Sequence, residues 1–133
     1  MAALHFQYKD FYNVIKHHIA LINRYDNEIE KQFSIAFLSV RDKKADEVAQ
    51  AFVNILRETD IVFNNGHFYI LFLPATDWSG ADTLLKELCA FLDQQRKDTI
   101  VTYPEDGNSA MSVIAAFENK VQSDYGVVMD IGD

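Results

Sequence analysis

The sequence is poor in the residues that staple or punctuate a chain. It holds one cysteine, two prolines and five glycines in 133 residues. A single cysteine, Cys89, excludes an internal disulfide and cannot supply a zinc cluster. It falls on the apolar stripe of an expected helix, where a small core residue fits. No Pro/Gly/Ser-rich linker, low-complexity stretch or internal repeat divides the chain, so one domain over 1–133 is expected. No apolar run approaches the ~18–20 residues of a membrane span. The opening "MAALHFQYKD" lacks the basic start and apolar core of a secretory signal. Basic charge is scarce too, with 12 Lys and Arg against 20 Asp and Glu, a net charge of −8. Without a basic stripe, binding of nucleic acid through phosphate neutralisation is not expected. A small anionic ligand stays compatible, because in salt a local arginine outweighs distant acids. The expectation is a cytoplasmic domain with no membrane or nucleic-acid partner and no cofactor.

What the chain does have is apolar pattern. Hydrophobic residues make up 49% and charged residues 24%, enough for a real core at this length. Phe11, Val14, Ile15, His18, Ile22, Tyr25 and Ile29 recur at three and four, which predicts a helix over about 10–31. "FSIAFLSV" (33–40) is a near-continuous apolar run of strand length and reads as a central strand. "ADEVAQAFVNILR" (45–57) predicts a second helix with Val48, Phe52, Val53 and Leu56 on one face. "DIVF" and "HFYILFLP" read as strands joined by Asn-Asn-Gly, residues that accept the positive φ of a hairpin turn. A helix is expected from Ser79, with Asp82 supporting its first turn and Leu84, Leu85, Leu88, Cys89 and Leu92 as its stripe. "TIVTY" (99–103) reads as a strand. "PEDG" reads as a turn, after which Asn108 or Ser109 caps a helix through Met111, Ile114, Phe117 and Val121. "GVVMDI" (126–131) reads as a last short strand. Pro74 and Pro104 each follow an apolar run, where strands end.

The order contains a β-α-β-β-α-β core. That predicts an α+β sandwich of ferredoxin-like type, a mostly antiparallel sheet with helices packed on it. An entry helix (10–31) precedes the core (33–131).

Several stretches then match one family in order. "RETDIVFNNGHFYILFLPATD" (57–77) resembles the GGDEF family of diguanylate cyclases. There an RxxD precedes a hairpin holding Gly-Gly-Asp/Glu-Glu-Phe, and the following strand ends in proline. "TYPEDGNSA" resembles that family's "YPxDG" turn into its last main helix, and "FSIAFLSV" its first core strand. "FYN" (11–13) resembles the tail of its entry motif, though the preceding "DxLT" is absent. The resemblance covers about 11–130 and implies a palm-type form of the sandwich, in a bacterial signalling protein.

It implies no cyclase chemistry. The family joins two GTP molecules into cyclic di-GMP, and its metals need carboxylate oxygens from the first strand and the hairpin. Counting from Phe33, the two strand positions fall on Ser39 and Arg41. A hydroxyl is a poor ligand for a hard cation, and a guanidinium adds positive charge beside it. Using Asp42 instead would shift the strand and flip its faces. In the hairpin, anchoring on Phe68 aligns "NNGHF" (Asn64, Asn65, Gly66, His67, Phe68). Anchoring on Pro74 aligns 65–69. Neither register supplies a carboxylate. His67 alone is no metal site, being more simply an edge residue of the hairpin. The family's base-binding stretch is reduced to "RDKKAD" (41–46).

Arg57 and Asp60 keep the RxxD spacing, which in the family is the inhibitory site for cyclic di-GMP. An arginine fork suits the guanine O6/N7 edge or a phosphate, and a carboxylate accepts from guanine N1 and its amino group. The same residues also suit a helix end and a turn, with Glu58 as a rival partner for Arg57. Arg24, Arg41 and Arg96 are candidates for a second arginine. Among the remaining features, His17 and His18 fall on different sides of one helix, so they form no metal pair. Trp78 suits either a cap on the sheet end or an interaction anchor. "PEDG" lacks the ligand spacing of a calcium loop. The expected role is regulatory, through other protein domains, a partner protein or a homodimer. Cyclic di-GMP binding at Arg57 and Asp60 is the alternative, and residual cyclase activity ranks last.

Overall fold

The computed structural model describes residues 5–6, 8–24, 31–40, 42–95 and 97–129. The elements are β1 (His5–Phe6), α1 (Tyr8–Arg24), β2 (Phe33–Ser39), α2 (Ala45–Ile55), β3 (Ile61–Asn65), β4 (Phe68–Pro74), α3 (Trp78–Phe91), β5 (Ile100–Tyr103) and α4 (Ala110–Tyr125). They form an α+β sandwich around one sheet in the order β1-β3-β4-β2-β5. β3, β4, β2 and β5 are antiparallel neighbours throughout, so β2 and β3 run parallel with β4 between them. That is a split β-α-β arrangement. β1 adds two residues in parallel at the β3 edge, an element the sequence pattern does not signal.

β2 lies between β4 and β5, and both of its faces are covered. Phe33, Ile35 and Phe37 face a layer built from α1 and α4, with Phe11, Ile15, Val113 and Phe117. Ala36, Leu38 and Val40 face α2 and α3, with Val48, Phe52, Leu85 and Leu88. Six of its seven residues are buried, which explains an unbroken apolar run where a half-exposed strand would alternate. Cys89 lies buried in the α2/α3 layer.

Three local expectations change, while α1 spans Tyr8–Arg24 and the 25–30 part of the expected helix lies outside the described residues. α3 starts at Trp78 and not at Ser79, because the Asp77 carboxylate accepts from the Gly80 N–H at 2.8 Å and caps the helix one residue earlier. Asn64 and Asn65 belong to β3, paired with Tyr69 and Phe68, so Gly66 and His67 make the turn. Gly66 has φ +63°, and Gly at the first central position suits a tight hairpin turn. Residues 126–129 form no strand, since Gly126 in the left-handed region ends α4 and Met129 packs into the core instead. Residues 130 and 131 of that expected strand lie outside the described residues. Of the two capping candidates before α4, Ser109 is the one used, accepting from the Ser112 N–H.

Candidate functional site

The RxxD pair closes the junction between α2 and β3. The Asp60 side chain is wholly buried, while that of Arg57 is 51% exposed. The Asp60 carboxylate accepts from the Arg57 backbone N–H at 2.9 Å and from its Nη2 at 3.1 Å. The Asp60 N–H in turn donates to the Arg57 carbonyl at 3.0 Å. Arg57 thus folds back on the residue three places ahead, and exposed Glu58 does not hold it.

The same guanidinium reaches across to the loop after β4. Its Nη2 donates to the Pro74 carbonyl at 2.8 Å and to the Thr76 hydroxyl at 2.6 Å. Thr76 also donates to the Pro74 carbonyl, and its own carbonyl accepts from Ser34 Oγ of β2. Ser34 pairs further with Thr102 Oγ1 of β5 at 2.9 Å. A polar chain therefore runs from the α2–β3 turn through the β4–α3 loop into the sheet. It satisfies the buried hydroxyls of Ser34 and Thr102. Nothing in the sequence signals Pro74 or Thr76 as partners of Arg57.

A cavity of about 520 Å³ opens beside this brace, lined by Arg57, Thr76, Asp77, Thr83, Leu84 and Glu87. Two carboxylates share it with one guanidinium, a poor balance for a phosphate. Of the candidates for a second arginine, Arg24 belongs to α1, on the opposite face of the sheet from α2. Arg41 and Arg96 lie outside the described residues.

The Asn65–Phe68 hairpin sits at the other end of β4. Ser39 pairs directly with Phe68, so the end of β2 lies beside the β3–β4 hairpin. The Val40 N–H donates to the His67 carbonyl at 2.9 Å and fixes that approach. A groove of about 480 Å³ runs beside the turn, lined by Asn65, Gly66, His67, Phe68, Val127 and Val128. None of these residues is acidic. His67 Nε2 is buried without a hydrogen-bond partner. Arg41, the second expected metal position, lies outside the described residues. Among the described residues, no three His, Cys, Asp or Glu side chains come together as a metal ion would require.

A further polar cluster joins the start of β5 to the end of α4. Thr99 Oγ1 donates to Asp124 at 2.7 Å, Lys120 pairs with the same carboxylate at 3.3 Å, and Lys97 lies over the Tyr125 ring at 4.4 Å. Burial works against the Asp124 charge, but the Thr99 and Lys120 hydrogen bonds and the two lysine charges prevail and hold its pKa below the usual carboxylate value. Burial foremost pushes the Tyr125 phenol up to about 12. This cluster looks like a fastening, since each charge in it already has a partner.

No helix among the described residues is long and apolar enough to cross a membrane. No family model matches the chain, and no curated protein matches it significantly.

Proposed function

We propose that the chain is a catalytically inactive GGDEF-like domain that regulates by contact with other protein domains, in a bacterial cytoplasmic signalling protein. The observation that carries this reading is the acid-free junction of hairpin and first core strand. Ser39 pairs with Phe68 and the turn between the strands is Gly66-His67, positions that the sequence resemblance aligns with the family's metal ligands. Two-metal phosphoryl chemistry has no carboxylate to start from at either place. Trp78 supports the contact role. It is 41% exposed at the start of α3, just after the loop that Arg57 braces, so a large amphipathic ring is presented from a rigid base.

Incubation with GTP and magnesium at high protein concentration tests the catalytic half. The expected result is no cyclic di-GMP, and product that scales with enzyme would overturn it.

A second reading, a cyclic di-GMP receptor at Arg57 and Asp60, has one observation in its favour. The Arg57 guanidinium is half exposed at the mouth of the 520 Å³ cavity. Against it, the Asp60 carboxylate is committed to Arg57 and cannot reach a guanine edge without opening the turn.

A further inference from the structure

α1 turns His17 to solvent and His18 toward the sheet. The His18 ring meets Phe33 of β2 nearly edge-on, centroids 5.4 Å apart, and Phe72 of β4 at 5.0 Å. Phe33 and Phe72 touch each other, and Tyr103 of β5 stacks on Phe33 at 4.8 Å. Within this aromatic nest His18 Nε2 is buried and has no hydrogen-bond partner. A buried polar atom left unpaired calls for an explanation that packing alone does not supply. A neutral imidazole is tolerated there. An imidazolium would set a charge and an N–H at Nε2 against the Phe33 and Phe72 rings, with no hydrogen-bond acceptor there.

We propose that His18 is a pH-sensitive latch, holding α1 on the sheet while neutral and loosening it when protonated. The groups around it agree. From β2 and β4 the facing side chains are the uncharged rings of Phe33 and Phe72, and from β5 the Tyr103 ring lies behind Phe33. From α1 itself the titratable neighbour is His17, whose positive charge adds to the opposition. Burial first, and His17 second, place the His18 pKa below the ordinary imidazole value. A lowered folded-state pKa means that the latch is fully closed above about pH 6.5, where an ordinary imidazole is neutral. Its hold is lost as pH falls through the lowered value. Loosening α1 withdraws Phe11, Ile15 and Ile22 from the core and bares the aromatic face of the sheet. Acidification is thereby coupled to exposure of an apolar surface.

Amide-exchange protection of α1, measured on the whole chain between about pH 7.5 and pH 5, tests this. Protection in α1 is expected to fall by up to about tenfold per pH unit below the ordinary imidazole value, while α2 and α3 on the other face keep theirs. His18→Phe keeps a ring in the nest and should flatten the profile. His17→Gln should retain the fall. Constant α1 protection in the wild type, or the same fall in His18→Phe, overturns the latch. An NMR titration of the two rings gives a check free of substitution. The His18 midpoint is expected below the ordinary imidazole value, and a midpoint at or above that value also overturns the proposal.

Discussion

The Asp60 carboxyl lies wholly out of solvent, and the groups that meet it come from one residue, Arg57. Hydrogen bonds to charged groups contribute more than neutral ones, and a buried donor left unmet adds its own cost. Asp60→Ala is therefore expected to destabilise the fold by about 2–3 kcal/mol in urea denaturation. Arg57→Ala leaves that buried carboxylate with the residue-57 backbone N–H alone, so a comparable cost of about 2–3 kcal/mol is expected. A neutral outcome in either variant would remove the structural account of this pair. The pair itself is legible in the sequence from its spacing. The use it is put to is not, because the Pro74 and Thr76 oxygens that share the guanidinium lie 17 and 19 residues further on. Composition and spacing record neighbours along the chain, and this brace is made across loops. The unpartnered Nε2 of His18 is hidden for the same reason. The helical period turns His18 inward, but only the sheet's packing places Phe33 and Phe72 around it.

Helices and strands show which kinds of signal carry. β2, β4 and α4 are readable because their apolar periods agree with where they end up, on a sheet covered on both faces. "GVVMDI" has strand composition, yet at 126–129 a left-handed Gly126 and the burial of Met129 decide otherwise. Tertiary position outweighs local β-propensity there. The "YPEDG" turn has a physical reason for its glycine. A Cβ on Gly107 would stand 2.5 Å from Val113 N and 2.7 Å from Val113 Cα, inside the first turn of α4. Gly107→Ala must push the helix start away, at a cost of about 1–3 kcal/mol. A thermal melt should drop by several degrees, with lost amide protection concentrated in the first turn of α4. An unchanged melting temperature would show that the turn gives way freely. At the other end of α4, the lowered Asp124 pKa has a definite sign. Its contribution is present above the ordinary carboxylate pKa of about 4 and is lost as pH falls through the lowered folded value. The difference in stability between wild type and Asp124→Asn should therefore shrink on going from about pH 5 to pH 2. A constant difference would mean that the Thr99–Lys120 fastening contributes through shape alone.

For the molecule as a whole, the sandwich follows from element order, since a β-α-β-β-α-β run with buried strands has few ways to close one sheet. The antiparallel order β3-β4-β2-β5 is the one that such a run adopts, and α1 with α4 covers the face that α2 and α3 leave open. The remaining functional question is concentrated at Arg57, the charged group shared by the structural brace and the receptor reading. Calorimetric titration of the purified protein with cyclic di-GMP, alongside Arg57→Ala, addresses it most directly. The account predicts no heat of binding in either protein, leaving the domain to act through its protein contacts. Micromolar binding that disappears in Arg57→Ala would contradict it and make the brace a ligand site.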